Sequence, residues 1–160
     1  MEHTLDSSTA SVVNPLLGAW HLARWEINYS DDRTPSLPFG PDVTGLLCYT
    51  HDGSMSACIA RARRARLSSA SVRSAPAEER LAAFESFFQY AGRYTLRVEA
   101  GRQQVVHSVT HALNPNFVGT EQVRDMAFAA DGSLTLSASD LLPGTQVTRQ
   151  HRLLWRRSAG

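Results

Sequence analysis

Apolar residues recur at every second position through much of this chain. The pattern opens in "GAWHLARWEINY", where Trp20 and Leu22 share one side, and strand-like segments span about 18–29, 44–51, 54–62, 93–99, 103–113, 121–130, 133–140 and 145–157. Turn signals separate several of these: Asp52-Gly53, "EAGR" at 99–102, Asp131-Gly132 and Pro143-Gly144. Eight strands joined mostly by tight turns predict an all-β antiparallel meander that closes into a barrel holding one small ligand. One stretch, "SAPAEERLAAFESFFQYAG", changes period. Leu81, Phe84, Phe88 and Ala91 recur at helical spacing, with Ser74 as a cap candidate, Pro76 and two glutamates in the first turn, and Gly92 as a stop. This predicts one inserted helix of about 76–90, packed on the barrel or covering one end. The preceding "RARRARLSSASVRSA" reads as a mobile, basic connection.

The first strand carries charge where more core is expected. Alternation sets Arg24 and Glu26 in register with Trp20 and Leu22. A barrel interior accommodates this if Trp20 and Leu22 fill the floor while Arg24 and Glu26 rise into a cavity. The alternative is a β-bulge after Leu22, which would turn Trp25 and Ile27 inward and put the charges in water.

Composition narrows the function classes. At 160 residues and 42% hydrophobic content the chain suits one domain, read as 14–160 behind a disordered tail of 1–13 that ends at Asn14-Pro15. The basic residues are all arginine, and the formal charge of +1 offers no general field for nucleic acid or a membrane surface. "RARRAR" lacks interleaved aromatics and reads as a solvated loop. The N-terminus has neither the basic nor the apolar region of a signal peptide, no apolar run approaches a membrane span, and a cytoplasmic location is expected. A two-residue Asp-Gly loop would pair Cys48 with position 57 and Leu47 with Cys58, placing two free thiols on opposite faces.

"LLGAWHLARWE" resembles the opening of lipocalin-like barrels, in which a short turn leads into a glycine-x-tryptophan strand. Through "GPDVTGLLCYTHDGSMSA", "AAFESFFQYAGRYTL", "VVHSVTHALNPNFVGTEQVR" and "RLLWRR", roughly residues 15–157 resemble a bacterial and fungal lipocalin-like domain family. The resemblance implies a calycin-type β-barrel with a pocket for an apolar or amphipathic small molecule. Some similar barrels act in natural-product pathways as cofactor-free cyclases or isomerases on polyketide-like substrates. Two departures bear on ligand choice: His111 and Ala112 stand in place of smaller or hydroxyl side chains, and Phe117 replaces tryptophan in "NPNFVG".

The candidate chemistry follows from residue type and phase. Glu26 and His107 are the candidate catalytic pair, since a carboxylate and an imidazole on one cavity could move a proton. His111 falls in register with His107, and either histidine could instead be a packing or surface residue. Arg24 and Arg124 are candidate inward cations, with Gln122 and Met126 on the same face as Arg124. Tyr49, Met55, Tyr90, Tyr94 and Phe117 would form an apolar wall suited to a flat conjugated ligand, or ordinary core. No metal or cofactor is expected: His151 is too distant for a third ligand, and phosphate loops, nucleophile elbows and CxxC motifs are lacking. The expected partner is a hydrophobic small-molecule ligand or substrate, with a homodimer as an open option. Two readings stand, a cofactor-free cyclase or isomerase and a non-catalytic carrier.

Overall fold

The computed structural model describes residues 13–158, so the tail expected over 1–13 lies almost wholly outside the described residues. Eight antiparallel strands run in sequence order around a closed barrel: β1 (Gly18–Tyr29), β2 (Thr44–Tyr49), β3 (Ser54–Ala60), β4 (Phe87–Glu99), β5 (Arg102–Ala112), β6 (Glu121–Phe128), β7 (Leu134–Leu141) and β8 (Thr148–Arg157). The seam is β1 against β8. Closure removes every exposed strand edge, which a meander of this size otherwise leaves open.

Turn chemistry separates the two ends of the barrel. The β2–β3, β4–β5 and β6–β7 connections are tight, and Ala100 and Gly101 both take positive φ, 50° and 76°, as a two-residue hairpin turn of right-handed strands requires. The longer connections, 30–43, 61–86, 113–120 and 142–147, all fall at the opposite end, which is the open one. Inward residues alternate as expected: Leu47 and Tyr49 on β2, Met55, Ala57 and Ile59 on β3, Val105, His107 and Val109 on β5, Leu134 and Leu136 on β7, and Trp155 on β8 are all buried.

Trp20 closes the floor. It is 1% exposed, its indole N–H donates to the Leu16 carbonyl at 2.8 Å, and the Arg157 guanidinium lies over its ring at 4.1 Å. Arg157 also donates to the carbonyls of Leu17 and Pro15, both at 2.7 Å, so the last strand fastens the turn that precedes the first.

Three local expectations are corrected. The helix, α1, covers only Ala77–Glu85 and buries none of its residues; Leu81 and Phe84 are exposed. From Phe87 onward the chain is β4, because pairing with β3 and β5 sends Phe88 and Tyr90 inward, and that burial outweighs a helical stripe with nothing to pack on. The hairpin register is also shifted by one: Cys48 pairs with Ser56 and Leu46 with Cys58, so the two free thiols lie on the same outer face. Finally, the basic connection is tied down. Arg61 donates to the Pro38 carbonyl, Arg63 to Asp42, Arg64 to Ser86 and the Ala83 carbonyl, and Ser68 to Glu79.

Candidate functional site

Two bulges decide which polar side chains reach the interior. In β1, Leu22 pairs with Trp155 but Arg24 pairs with Leu154, so Ala23 is an extra residue and every side chain after it changes face. Trp25 therefore turns in, and Arg24 and Glu26 turn out. They sit in a shallow outer depression with Thr135, Arg152 and Leu154, bonded to one another at 2.9 Å from Arg24 Nε. Hydrogen bonding from Arg24 holds the Glu26 carboxyl below the usual carboxylate range. The expectation that these two line the cavity is thus corrected. In β5, Gly92 pairs with Val109 while Ala91 pairs with His111, so Thr110 is the extra residue. His107 stays inward, whereas His111 turns outward, is exposed and shares a 2.8 Å hydrogen bond with Thr110.

Above the floor the barrel holds a cavity of about 300 Å³. Its wall is built from the aliphatic side chains of Leu47, Ala57, Ile59 and Leu136 and the aromatic rings of Trp25, Phe88, Tyr90, Phe117 and Trp155. Phe88 meets Tyr90 and Phe117 edge to face, with ring centroids 5.6 and 5.5 Å apart. Such a wall suits a flat apolar body.

His107 is the most buried polar group on that wall, at 1% exposure. The Tyr49 hydroxyl lies 2.7 Å from its Nε2 and the Tyr90 hydroxyl 2.7 Å from its Nδ1. Burial, with the nearby Arg124 charge, pushes its pKa down to about 3, so the ring is neutral. A neutral imidazole donates through one nitrogen and accepts through the other. One tyrosine therefore donates to His107 and the other accepts from it, which leaves the accepting tyrosine's own proton for another partner. Burial raises both phenols above their ordinary range, opposed in each case by Arg124.

Arg124 reaches the cavity from β6 and is held by a chain of hydrogen bonds. Thr120 donates to the Phe117 carbonyl, Gln122 donates to Thr120, and Gln122 in turn accepts from Arg124 at 3.2 Å. Asn114 caps the Pro115–Phe117 turn by accepting from the Asn116 N–H, which fixes Phe117 at the start of that chain.

At the mouth, the Trp25 indole faces His151 Nδ1 at 3.4 Å and His151 Nε2 lies 3.4 Å from Asp140. Arg149 clamps Asp140 through two bonds of 2.8 and 2.6 Å. Burial lowers the His151 pKa, with Asp140 opposing. His151, too distant in sequence to complete a metal site, meets Asp140 here instead, and the one sequence signal for the pair is the hairpin "DLLPGTQVTRQH", which folds residue 140 back onto 149–151.

Of the sequence-derived candidates, Tyr90, His107, Phe117 and Arg124 converge on the cavity, and Tyr49 stands behind His107. Met55 and Tyr94 are core; the Tyr94 hydroxyl donates to the Thr50 carbonyl and accepts from Asn14. Among the described residues no cluster of three metal-ligating side chains occurs and no helix is long and apolar enough to cross a membrane.

Comparison with known proteins agrees with this architecture. The model of a family described as a lipocalin-like domain matches residues 17–158, which takes in all eight strands. Among curated proteins no match is found.

Proposed function

Because the chain belongs to the lipocalin-like domain family, whose barrel suits a small hydrophobic ligand, we propose that it is a cofactor-free enzyme promoting cyclisation or isomerisation of a hydrophobic, oxygen-bearing molecule of polyketide type. One observation carries this reading: a neutral His107 held between two tyrosine hydroxyls, one of them on the cavity wall beside a guanidinium. A substrate carbonyl placed against Tyr90 accepts its hydrogen bond; as an enol carbon of the same substrate bonds to the carbonyl carbon and the C=O π bond breaks, Arg124 stabilises the oxyanion, Tyr90 protonates it, and the enol's hydroxyl proton restores Tyr90. His107 and Tyr49 adjust their shared protons behind Tyr90, and all three return to their starting state. The aromatic wall contributes by folding a flexible substrate into a reactive shape.

A carrier role is the second reading. It is favoured by the fact that both ring nitrogens of His107 already have partners, so the network is complete without chemistry. Incubating the protein with β-dicarbonyl and polyketone model substrates separates the two, with binding followed by tryptophan quenching and products by liquid chromatography and mass spectrometry. Tyr90→Phe is expected to lower kcat by about 100-fold with little change in KM, within the usual range for a positioned proton donor. Glu26→Gln, on the outer face, is expected to behave as the parent. Binding without product in any case supports the carrier, and an absence of quenching removes both readings.

A further inference from the structure

Six of the sixteen arginines pair with an Asp or Glu: Arg24, Arg33, Arg63, Arg97, Arg102 and Arg149. Among the described residues Arg124 pairs with none, and it is the one arginine that lines the cavity. It donates to the Val123 carbonyl at 2.9 Å and the Gln122 side chain at 3.2 Å, and the Tyr90 hydroxyl lies within its reach. None of these partners is a carboxylate, and the five-donor fork keeps N–H groups for a ligand. A part-buried cation with no carboxylate partner, on a cavity whose walls are largely aromatic and aliphatic, carries a desolvation cost that a well-packed neutral side chain would avoid.

We propose that Arg124 is the seat of an oxyanion on the ligand, so that the cavity selects small molecules pairing a flat apolar body with a planar, delocalised negative group such as a carboxylate or an ionised enol. This rests on the ligand-binding reading of the cavity and adds the charge of the ligand to it. The guanidinium's planar fork suits a two-oxygen anion. Its position is fixed through Gln122 and Thr120 to the Phe117 carbonyl, so little freedom is lost on binding. The other charged group on the cavity, Asp140, is neutralised at the mouth by Arg149, with His151 beside it. His107 is uncharged and does not compete for the anion. Tyr90, His107 and His151 line the same cavity as Arg124, and its positive charge acts on each of them.

The test uses two probes of the same size and shape, 2-naphthoate and 2-naphthamide, titrated calorimetrically into the full chain. The carboxylate is expected to bind at least about tenfold more tightly than the amide, as for a charge-assisted bidentate contact. Arg124→Met is expected to bring that ratio to about one while leaving amide binding within about twofold, which also shows that the cavity is intact. Arg124→Lys is expected to restore part of the preference. If neither probe binds the parent, the cavity reading falls and the oxyanion seat falls with it. If the amide binds and the carboxylate binds no better, or if the preference persists in Arg124→Met, the oxyanion seat alone is overturned.

Discussion

Acid should weaken this fold through His107. In the unfolded chain that imidazole takes up a proton at its ordinary value of 6.5, whereas the folded site holds it at about 3. Between those limits the unfolded state binds a proton that the folded state refuses. The contribution is therefore fully present above pH 6.5 and is lost progressively as the pH falls toward 3. Each pH unit inside the window is about 1.4 kcal/mol, so moving from roughly pH 7.5 to 4.5 should cost about 2–3 kcal/mol from this group alone. His151, also held low by burial, adds in the same direction. Glu26 and Asp140 are held below their ordinary values by arginine, so their contributions fade chiefly at still lower pH. The measurement is a set of urea melts across that range, followed by circular dichroism, on the parent and on His107→Gln. The glutamine can still bridge the two tyrosines but cannot titrate. The parent is expected to lose about 2–3 kcal/mol more than the variant over the same interval, whatever the variant's stability at neutral pH. Parallel curves, agreeing to within about 0.5 kcal/mol, would refute the buried neutral imidazole.

Two further predictions concern the scaffold. Trp20→Ala removes the fully buried floor plug with its bond to Leu16, and should destabilise by about 3–5 kcal/mol in the same melts; a loss below about 1 kcal/mol would contradict the packing. Gly92→Ala would set a Cβ 2.0 Å from the Ser108 carbonyl oxygen at the β4–β5 bulge, so a loss of about 3 kcal/mol or more is expected, and an unchanged denaturation midpoint would show that the bulge relaxes freely.

The barrel was legible because alternation and turn residues are short-range signals that agree with one another, from Trp20 and Leu22 on β1 to the Asp131-Gly132 turn before β7. The site was less legible, for one recurring physical reason. A single unpaired residue reverses every side chain beyond it, and neither Ala23 nor Thr110 looks unusual in sequence. Arg24, Glu26 and His111 were misplaced by that reversal alone. The bulge considered as the alternative for β1 is the one present; none was considered for β5. His107 and Arg124 lie where no such reversal separates them from a correctly phased neighbour. The start of β4 was hidden differently. "SFFQYAG" fits a helical stripe and an alternating strand about equally, and only the unsatisfied edges of β3 and β5 decide between them. Likewise, nothing local announces that His151 and Asp140 meet, since that contact exists only once β7 and β8 pair.

The bond network around Trp20 also bears on how this molecule can be joined to others. Arg157 grips the carbonyls of Pro15 and Leu17, so the chain enters and leaves the barrel within a few ångströms of the same spot, on the side away from the cavity mouth. A neighbouring domain, an affinity tag or a solid support attached at the end of β8 is therefore joined at the floor and leaves the entrance facing outward. Immobilised in this orientation, the barrel presents its ligand opening to the bulk phase.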